Sequence, residues 1–276
     1  MSRTMIQAAV TMNQLQNKLD LIGNNMANSQ TTGYKTRQAD FSSLLFQQIN
    51  NMTDPANAEG RLTPDGVRVG SGAKLGSVNI DLAPGSITET NRTLDTALLG
   101  KNHLYQIQVT ENGNAETRYT RDGSFYLSPV NNNQSVMLTT KDGNPVMGEN
   151  GPIVIEEGFD AINIQPDGQI TVKRGNQTEN TGNLAIAEAV RPRLLEATGE
   201  NAFRMPNLDE LGFNFNEIIQ AVAPNTDVLK SGALEHSNVD ISKQMTDMIS
   251  TQRSYQFNSR TISMSDQMMG LVNQLR

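Results

Sequence analysis

Apolar positions near the start of the chain fall at Met5, Ala8, Met12, Leu15, Leu19, Ile22 and Met26, in alternating steps of three and four. That spacing holds one stripe on one face of a helix and matches the a/d seam of a coiled coil over about three heptads. It predicts a helix over residues 4–27, about 36 Å long. Gly33 offers a left-handed stop after the polar break at Asn28 and Ser29.

A second ladder runs at seven-residue steps through Ile241, Met248, Tyr255, Ile262 and Met269, beside a stripe at Phe257, Met264, Met268, Leu271 and Leu275. No Gly or Pro interrupts residues 233–269, so a long helix is predicted there. An amphipathic helix packed on its own domain would show the first pattern too. Two heptad helices at opposite ends of one chain favour pairing with each other. A helix of this size is marginal alone in water, so both ends are expected to gain order on assembly between subunits.

Residues 84–200 read as β. In HLYQIQV, Leu104, Gln106 and Gln108 alternate with Tyr105, Ile107 and Val109, the period of a half-buried strand. Asp122-Gly123, Asp142-Gly143 and Asp167-Gly168 punctuate strand-like runs, and each is expected to be a turn, the first within a hairpin joining Arg118–Thr120 to Ser124–Leu127. Residues 50–83 are poor in apolar positions and rich in Asn, Gly, Thr and Asp, and read as an extended connector. The fold class is therefore α+β. Residues 1–40 with 232–276 would form a terminal, coiled-coil-like helical domain, residues 41–83 the connector, and residues 84–231 a central all-β domain.

Charge and chemistry narrow the function. The chain of 276 residues carries −7, and residues 51–230 alone hold 14 Lys and Arg against 23 Asp and Glu. An acidic middle argues against a nucleic-acid surface, which needs a basic stripe. There are no cysteines, so disulfides and thiolate chemistry are excluded. At 36% hydrophobic residues no window reads as a membrane span, and the polar residues after Thr4 do not form the apolar block of a cleaved secretory leader. His103 and His236 lie in neither a zinc nor a triad context. Gly70 to Gly76, GSGAKLG, is a near-miss to a dinucleotide fingerprint with no helix pattern behind it. Neither a metal, a cofactor nor an enzymatic activity is supported.

Three motifs carry a resemblance. NNMANSQTTGYK, Asn24 to Lys35, resembles the N-terminal signature of the bacterial flagellar rod and hook family, and LEHSNVDISKQMTDMISTQRSYQFNSR, Leu234 to Arg260, resembles its C-terminal one. YTRDGSF, Tyr119 to Phe125, is similar to the middle domain of the distal-rod type. The matching motif positions are Ala27, Asn28, Thr31, Gly33, Tyr34 and Lys35 at one end, and Leu234, Ser237, Asn238, Val239, Gln252, Arg253, Tyr255 and Asn258 at the other. The resemblance implies a structural subunit of the flagellar drive shaft, exported through the flagellar type III apparatus without a cleaved signal. It also implies a location in the basal body outside the cytoplasmic membrane. Its terminal helices would pair and build the inner tube of a helical assembly with other rod subunits and hook proteins, so Met5, Met12, Leu15, Leu19, Ile22, Met26, Ile241, Met248, Tyr255, Ile262, Met269 and Leu271 are the expected partner interface. The segment Phe46 to Gly72 resembles the extra segment of distal-rod proteins and favours rod over hook. Residues 100–103 and 201–230 depart from the family pattern. A hook-type subunit, or a β-rich adhesin on a coiled-coil stalk, is the rival reading.

Overall fold

The computed structural model describes residues 3–43, 46–49, 67–70, 73–111, 113–131, 133–199, 201–208, 212–223 and 227–274. The fold is α+β and divides into two compact units, one of Met1–Asn24, Gln38–Asn79 and Ile241–Arg276, the other of Asn25–Arg37 and Ile80–Asp240.

The first unit holds both long helices. The N-terminal helix spans Arg3–Ala27. Of its predicted stripe, Ala8, Leu15 and Ile22 are buried within the single chain, while Met5, Met12, Leu19 and Met26 are half-buried. Four strands follow, β1 (Arg37–Ser43), β2 (Phe46–Ile49), β3 (Val67–Gly70) and β4 (Ala73–Ile80). β1 pairs with β4, and β2 pairs antiparallel with β3, Phe46 opposite Gly70 and Ile49 opposite Val67. The stretch expected as a bare extended connector is thus extended but paired into two ladders; its residues 50–66 lie outside those described. Gln14 Oε1 accepts the Leu75 N–H at 2.9 Å, and the Lys18 ammonium sits 5.1 Å from the centroid of the Phe41 ring.

The C-terminal helix spans Ile241–Gln274 and runs through Gly270. The helical expectation for residues 233–240 is corrected: Ala233–Glu235 form a strand and 236–240 a loop. The absence of Gly and Pro permits a helix but does not compel one, and here strand pairing wins. Met248, Tyr255, Ile262 and Met269 form a half-buried column, with Gln244 and Thr251 buried beside it. Ile241, Met245, Ile249, Phe257, Met264, Met268, Leu271 and Val272 are exposed, Phe257 at 74%. Leu275 is outside the described residues.

The second unit is built on strands. Along the chain these are β5 (Ile87–Glu89), β6 (Thr96–Leu98), β7 (His103–Glu111), β8 (Asn114–Thr120), β9 (Tyr126–Val130), β10 (Ser135–Thr139), β11 (Met147–Gly148), β12 (Gly151–Pro152), β13 (Val154–Glu156), β14 (Ala161–Ile164), β15 (Gln169–Arg174), β16 (Gln177–Asn183), β17 (Ile186–Ala189), β18 (Glu196–Ala197), β19 (Ala202–Arg204), β20 (Ile219–Ala221), β21 (Leu229–Ser231) and β22 (Ala233–Glu235). The largest sheet has the order β18-β19-β8-β7-β17-β20, accompanied by β13-β10-β9 and β14-β15-β16. β7 shows why alternation matters. Its Tyr105, Ile107 and Val109 enter one core with Phe125, Leu138, Ile155, Ile164 and Ile170, while Leu104 enters a second core with Tyr119, Phe203, Ile218 and Ile219.

Two of the three Asp-Gly turns form as expected. Gly143 and Gly168 take positive φ, and Gly168 reverses the chain between β14 and β15. The Asp122-Gly123 hairpin does not form: β8 pairs with β7 and β19, whereas β9 pairs with β10. Gly123 instead lets two backbones approach, since a Cβ there would stand 1.9 Å from the Thr96 carbonyl oxygen, and Thr96 N–H donates to the Gly123 carbonyl at 3.0 Å. A hairpin that the sequence reading did not mark joins β7 to β8, where Glu111 faces Asn114 and Gly113 has φ +82°.

Candidate functional site

The three sequence motifs meet in the second unit. Their meeting begins where the N-terminal helix ends. Ser29 N–H and Oγ–H both donate to the Met26 carbonyl, Thr31 N–H to the Asn28 carbonyl at 3.1 Å, and Thr31 Oγ1–H to Asn28 Oδ1 at 3.2 Å. These turns end the helix at Ala27, where the predicted span of residues 4–27 placed its end, so the stop is made by the turns and not by Gly33 six residues on. Gly33 does adopt a left-handed φ of +65°, for a different purpose. Its N–H donates to the Glu235 carbonyl at 2.8 Å, and a Cβ would stand 2.6 Å from backbone atoms of Arg121 and Asp122. Only glycine lets the three segments approach so closely.

Two residues on, Lys35 projects into a site with a fully covered side chain. Its ammonium donates to Glu235 Oε1 at 2.6 Å and to the Ala83 carbonyl at 2.8 Å. Glu235 Oε2 accepts Arg121 Nε–H at 2.6 Å, and Oε1 also accepts the Gly85 N–H at 2.7 Å. Arg121 is anchored independently, donating to the carbonyls of Leu98, Lys101 and His103 at 3.1, 3.0 and 2.8 Å. One carboxylate therefore bridges two buried cations, and Asp81 adds a second negative charge facing Lys35. Burial and the Arg121 guanidinium push the Lys35 ammonium down to about 8, against the opposing pull of Glu235.

Two asparagines finish the clasp. Asn238 accepts Thr36 N–H at 2.7 Å and Thr36 Oγ1–H at 2.8 Å, and donates to the carbonyls of Asp81 and Ala83 at 2.8 and 3.0 Å. Asn25 Oδ1 accepts Tyr34 O–H at 3.1 Å and Arg37 N–H at 3.0 Å, and Asn25 Nδ2–H donates to the Arg37 carbonyl at 2.8 Å. Burial raises the Tyr34 phenol above its ordinary range, with Arg37 pulling the other way. Ser237 Oγ accepts Val239 N–H at 3.3 Å, and Leu234 lies opposite Thr88 where β22 pairs with β5.

Of the motif positions, Ala27, Asn28, Thr31, Gly33, Tyr34, Lys35, Leu234, Ser237, Asn238 and Val239 belong to this unit; Gln252, Arg253, Tyr255 and Asn258 lie on the C-terminal helix in the other. Sequence reasoning missed Glu235, Arg121, Asn25 and Thr36 as site residues. A signal existed: Glu235 and Arg121 are ionisable residues inside LEHSNV and YTRDGSF. His103 is half-buried, its Nδ1 has no hydrogen-bond partner, and burial lowers its pKa. Its ring lies against Gly100, where a Cβ would sit 2.2 Å from Nδ1, which accounts for glycine at that departure from the family pattern. Among the described residues no group of three or more His, Cys, Asp or Glu could hold a metal ion, and no helix is long and apolar enough to cross a membrane.

The clasp has the makings of a structural joint: it fixes three distant segments to one another by charge and backbone hydrogen bonds. Comparison with known proteins agrees with a structural class. Residues 7–35 match the family model for flagella basal body rod protein, 103–172 that for the flagellar hook protein FlgE/F/G D1 domain, and 230–275 that for the flagellar basal body rod FlgEFG protein C-terminal region. Lys35, Arg121 and Glu235 fall one in each. The chain is 42% identical to the flagellar hook-basal body complex protein FlhP of Bacillus subtilis over the full length of both. It is 32% identical to the flagellar basal-body rod protein FlgG of Caulobacter vibrioides over 98% of this chain and 97% of that one, and 31% identical to FlgG of Bacillus subtilis over 99% of each. The chain belongs to the flagellar basal-body rod family, a family of structural proteins of the flagellum.

Proposed function

We propose that this rod subunit polymerises through its terminal helices into a helical tube that carries torque from motor to hook, with the β unit as the outward layer. The supporting observation is the exposed apolar face of the C-terminal helix. Met245, Ile249, Phe257, Met264, Met268, Leu271 and Val272 stand in water on this one helix in the single chain, whereas the second unit gathers most of its large apolar residues into two cores and exposes others, such as Leu99, Val190 and Phe215, on separate segments. So much contiguous apolar surface on one helix marks a contact with other chains. Repeated head-to-tail contacts of this kind generate a helical filament when the rotation does not close.

In this reading the half-buried column Met248, Tyr255, Ile262 and Met269, with Met5, Met12, Leu19 and Met26 on the N-terminal helix, completes its burial in the assembly. Leu15 and Ile22 are already covered in the single chain and contribute to its own packing. The partners are further copies of this chain, other rod subunits and hook proteins. The route is the flagellar type III apparatus, and the destination the basal body outside the cytoplasmic membrane.

The test is Met264→Asp/Met268→Asp. Both residues are more than half exposed, so the purified monomer should keep its stability within about 0.5 kcal/mol. Buried between helices, two unpaired carboxylates would cost several kcal/mol, and the variant should be absent from isolated basal bodies, with hook and filament missing beyond. Normal incorporation of the double variant would refute the helix face as the contact.

A further inference from the structure

We infer that the clasp reads the presence of the C-terminal segment: residues 31–37 seat on the β unit only when Glu235 has arrived to neutralise the site. The argument rests on who depends on whom. Arg121 is held by three backbone carbonyls of its own unit, so its positive charge is in place whether or not the chain ends have docked. Lys35 must enter beside that charge. Its side chain is fully covered on docking, and among the described residues its one ion-pair partner is Glu235, 200 residues further along. Without Glu235, docking the N-terminal segment would place a second cation against Arg121 in a site closed to water, with Asp81 facing Lys35 but making no ion pair with it. A lysine can escape to solvent by undocking its segment, whereas Arg121 cannot leave its strand end.

Glu235 contributes through backbone as well as charge. Its carbonyl receives Gly33 N–H, and its carboxylate receives Gly85 N–H, so strand β22 and the segment around Gly33 close on each other together. Asn238 adds a second tie at Thr36. Both segments lead directly into the long helices, one ending at Ala27 and the other starting at Ile241. A chain missing its last segment thus leaves residues 31–37 unseated on the β unit, and only a chain that carries Glu235 closes the clasp. This concerns the single chain and stands whether or not the assembly reading holds.

The experiment is amide hydrogen exchange on the full-length purified protein, read at residues 33–37, at 233–238, and at Ile107 and Ile170 as internal controls. Glu235→Gln keeps the backbone of β22 and removes the charge. It should speed exchange at residues 33–37 by about a hundredfold and leave Ile107 and Ile170 unchanged. Adding Lys35→Met removes the uncompensated cation, so Lys35→Met/Glu235→Gln should recover protection at 33–37 to within about tenfold of the wild type. Native protection at 33–37 in Glu235→Gln would overturn the inference. So would a double variant that exchanges as fast as the single one, because mere loss of packing gives no rescue. If Glu235→Gln fails to fold, the double variant decides alone: protected at 33–37, it supports the compensation of charge; unprotected there or unfolded, it refutes it.

Discussion

The two units of this chain put polar and apolar groups to opposite uses. The β unit takes charges and asparagines inside and gives each of Lys35, Arg121, Glu235 and Asn238 hydrogen-bond partners. The helical unit leaves Phe257, Met264 and Met268 in water. Buried, partnered polar groups specify one arrangement and cost heavily when a partner is lost. Exposed apolar groups specify nothing within the monomer but gain on contact with another chain. The β unit is thus finished as a single chain, and in the proposed assembly neighbours finish the helical unit.

The same substitution at two glycines should sharpen that contrast with the largest effect. Gly33→Ala puts a methyl 2.6 Å from the Arg121 and Asp122 backbones at a φ of +65°, where nothing flexible can yield. Loss of about 3 kcal/mol or more in urea unfolding is expected. Gly23→Ala, in the N-terminal helix, meets nothing within 4 Å and should stabilise that helix by about 0.5–1 kcal/mol. A tolerated Gly33→Ala would mean that the clasp is loose and the contrast false.

The pH dependence should be smaller and confined to the β unit. Lys35 titrates at about 8 folded and near its ordinary 10.5 unfolded, so between these values the unfolded chain holds more protons and stability rises with pH. The groups facing Lys35 are Arg121, Glu235 and Asp81. The gain is at most about 3 kcal/mol. Above pH 10 the buried phenols of Tyr34, Tyr105 and Tyr119, all raised by burial, act in the opposite direction, so the rise should be sought between pH 8 and 10. Urea titrations should show it in the wild type, and Lys35→Met should be flat over the same interval. A flat wild-type profile would contradict the burial assigned to Lys35.

How much of this was legible in the sequence follows from the range of the interactions. The heptad steps from Met5 to Met26 and from Met248 to Met269 are local periodicities, and they mark the helices and their more covered faces. Alternation in β7 and the turns at Gly143 and Gly168 are local too. What could not be read were pairings between distant residues: Lys35 with Glu235, the β1-β4 and β2-β3 ladders, and the use of Gly123 for close approach rather than reversal. The strand at Ala233–Glu235 belongs with these, since its partner is β5 and its own residues lack any strong strand signal. The motif resemblance pointed to the right segments, but only geometry shows that their charged residues face one another.

The smallest expected effect probes how weakly the helical unit is held by its own side-chain ties. Side-chain ties of its N-terminal helix to the β1-β4 ribbon include the Gln14 bond to Leu75 N–H and the Lys18 ammonium over Phe41. Lys18 is half-buried and Phe41 is 39% exposed, so their cation–π contact is partly in water and worth about 0.5–1 kcal/mol. Lys18→Ala also places the best helix former in the middle of the helix, which offsets a few tenths of that loss. A double-mutant cycle of Lys18→Ala and Phe41→Leu, measured by thermal unfolding of the monomer, should return a coupling below about 1 kcal/mol. A coupling above about 2 kcal/mol would show a helical unit that holds itself together as firmly as the β unit, and the division between a finished half and an unfinished half would fall.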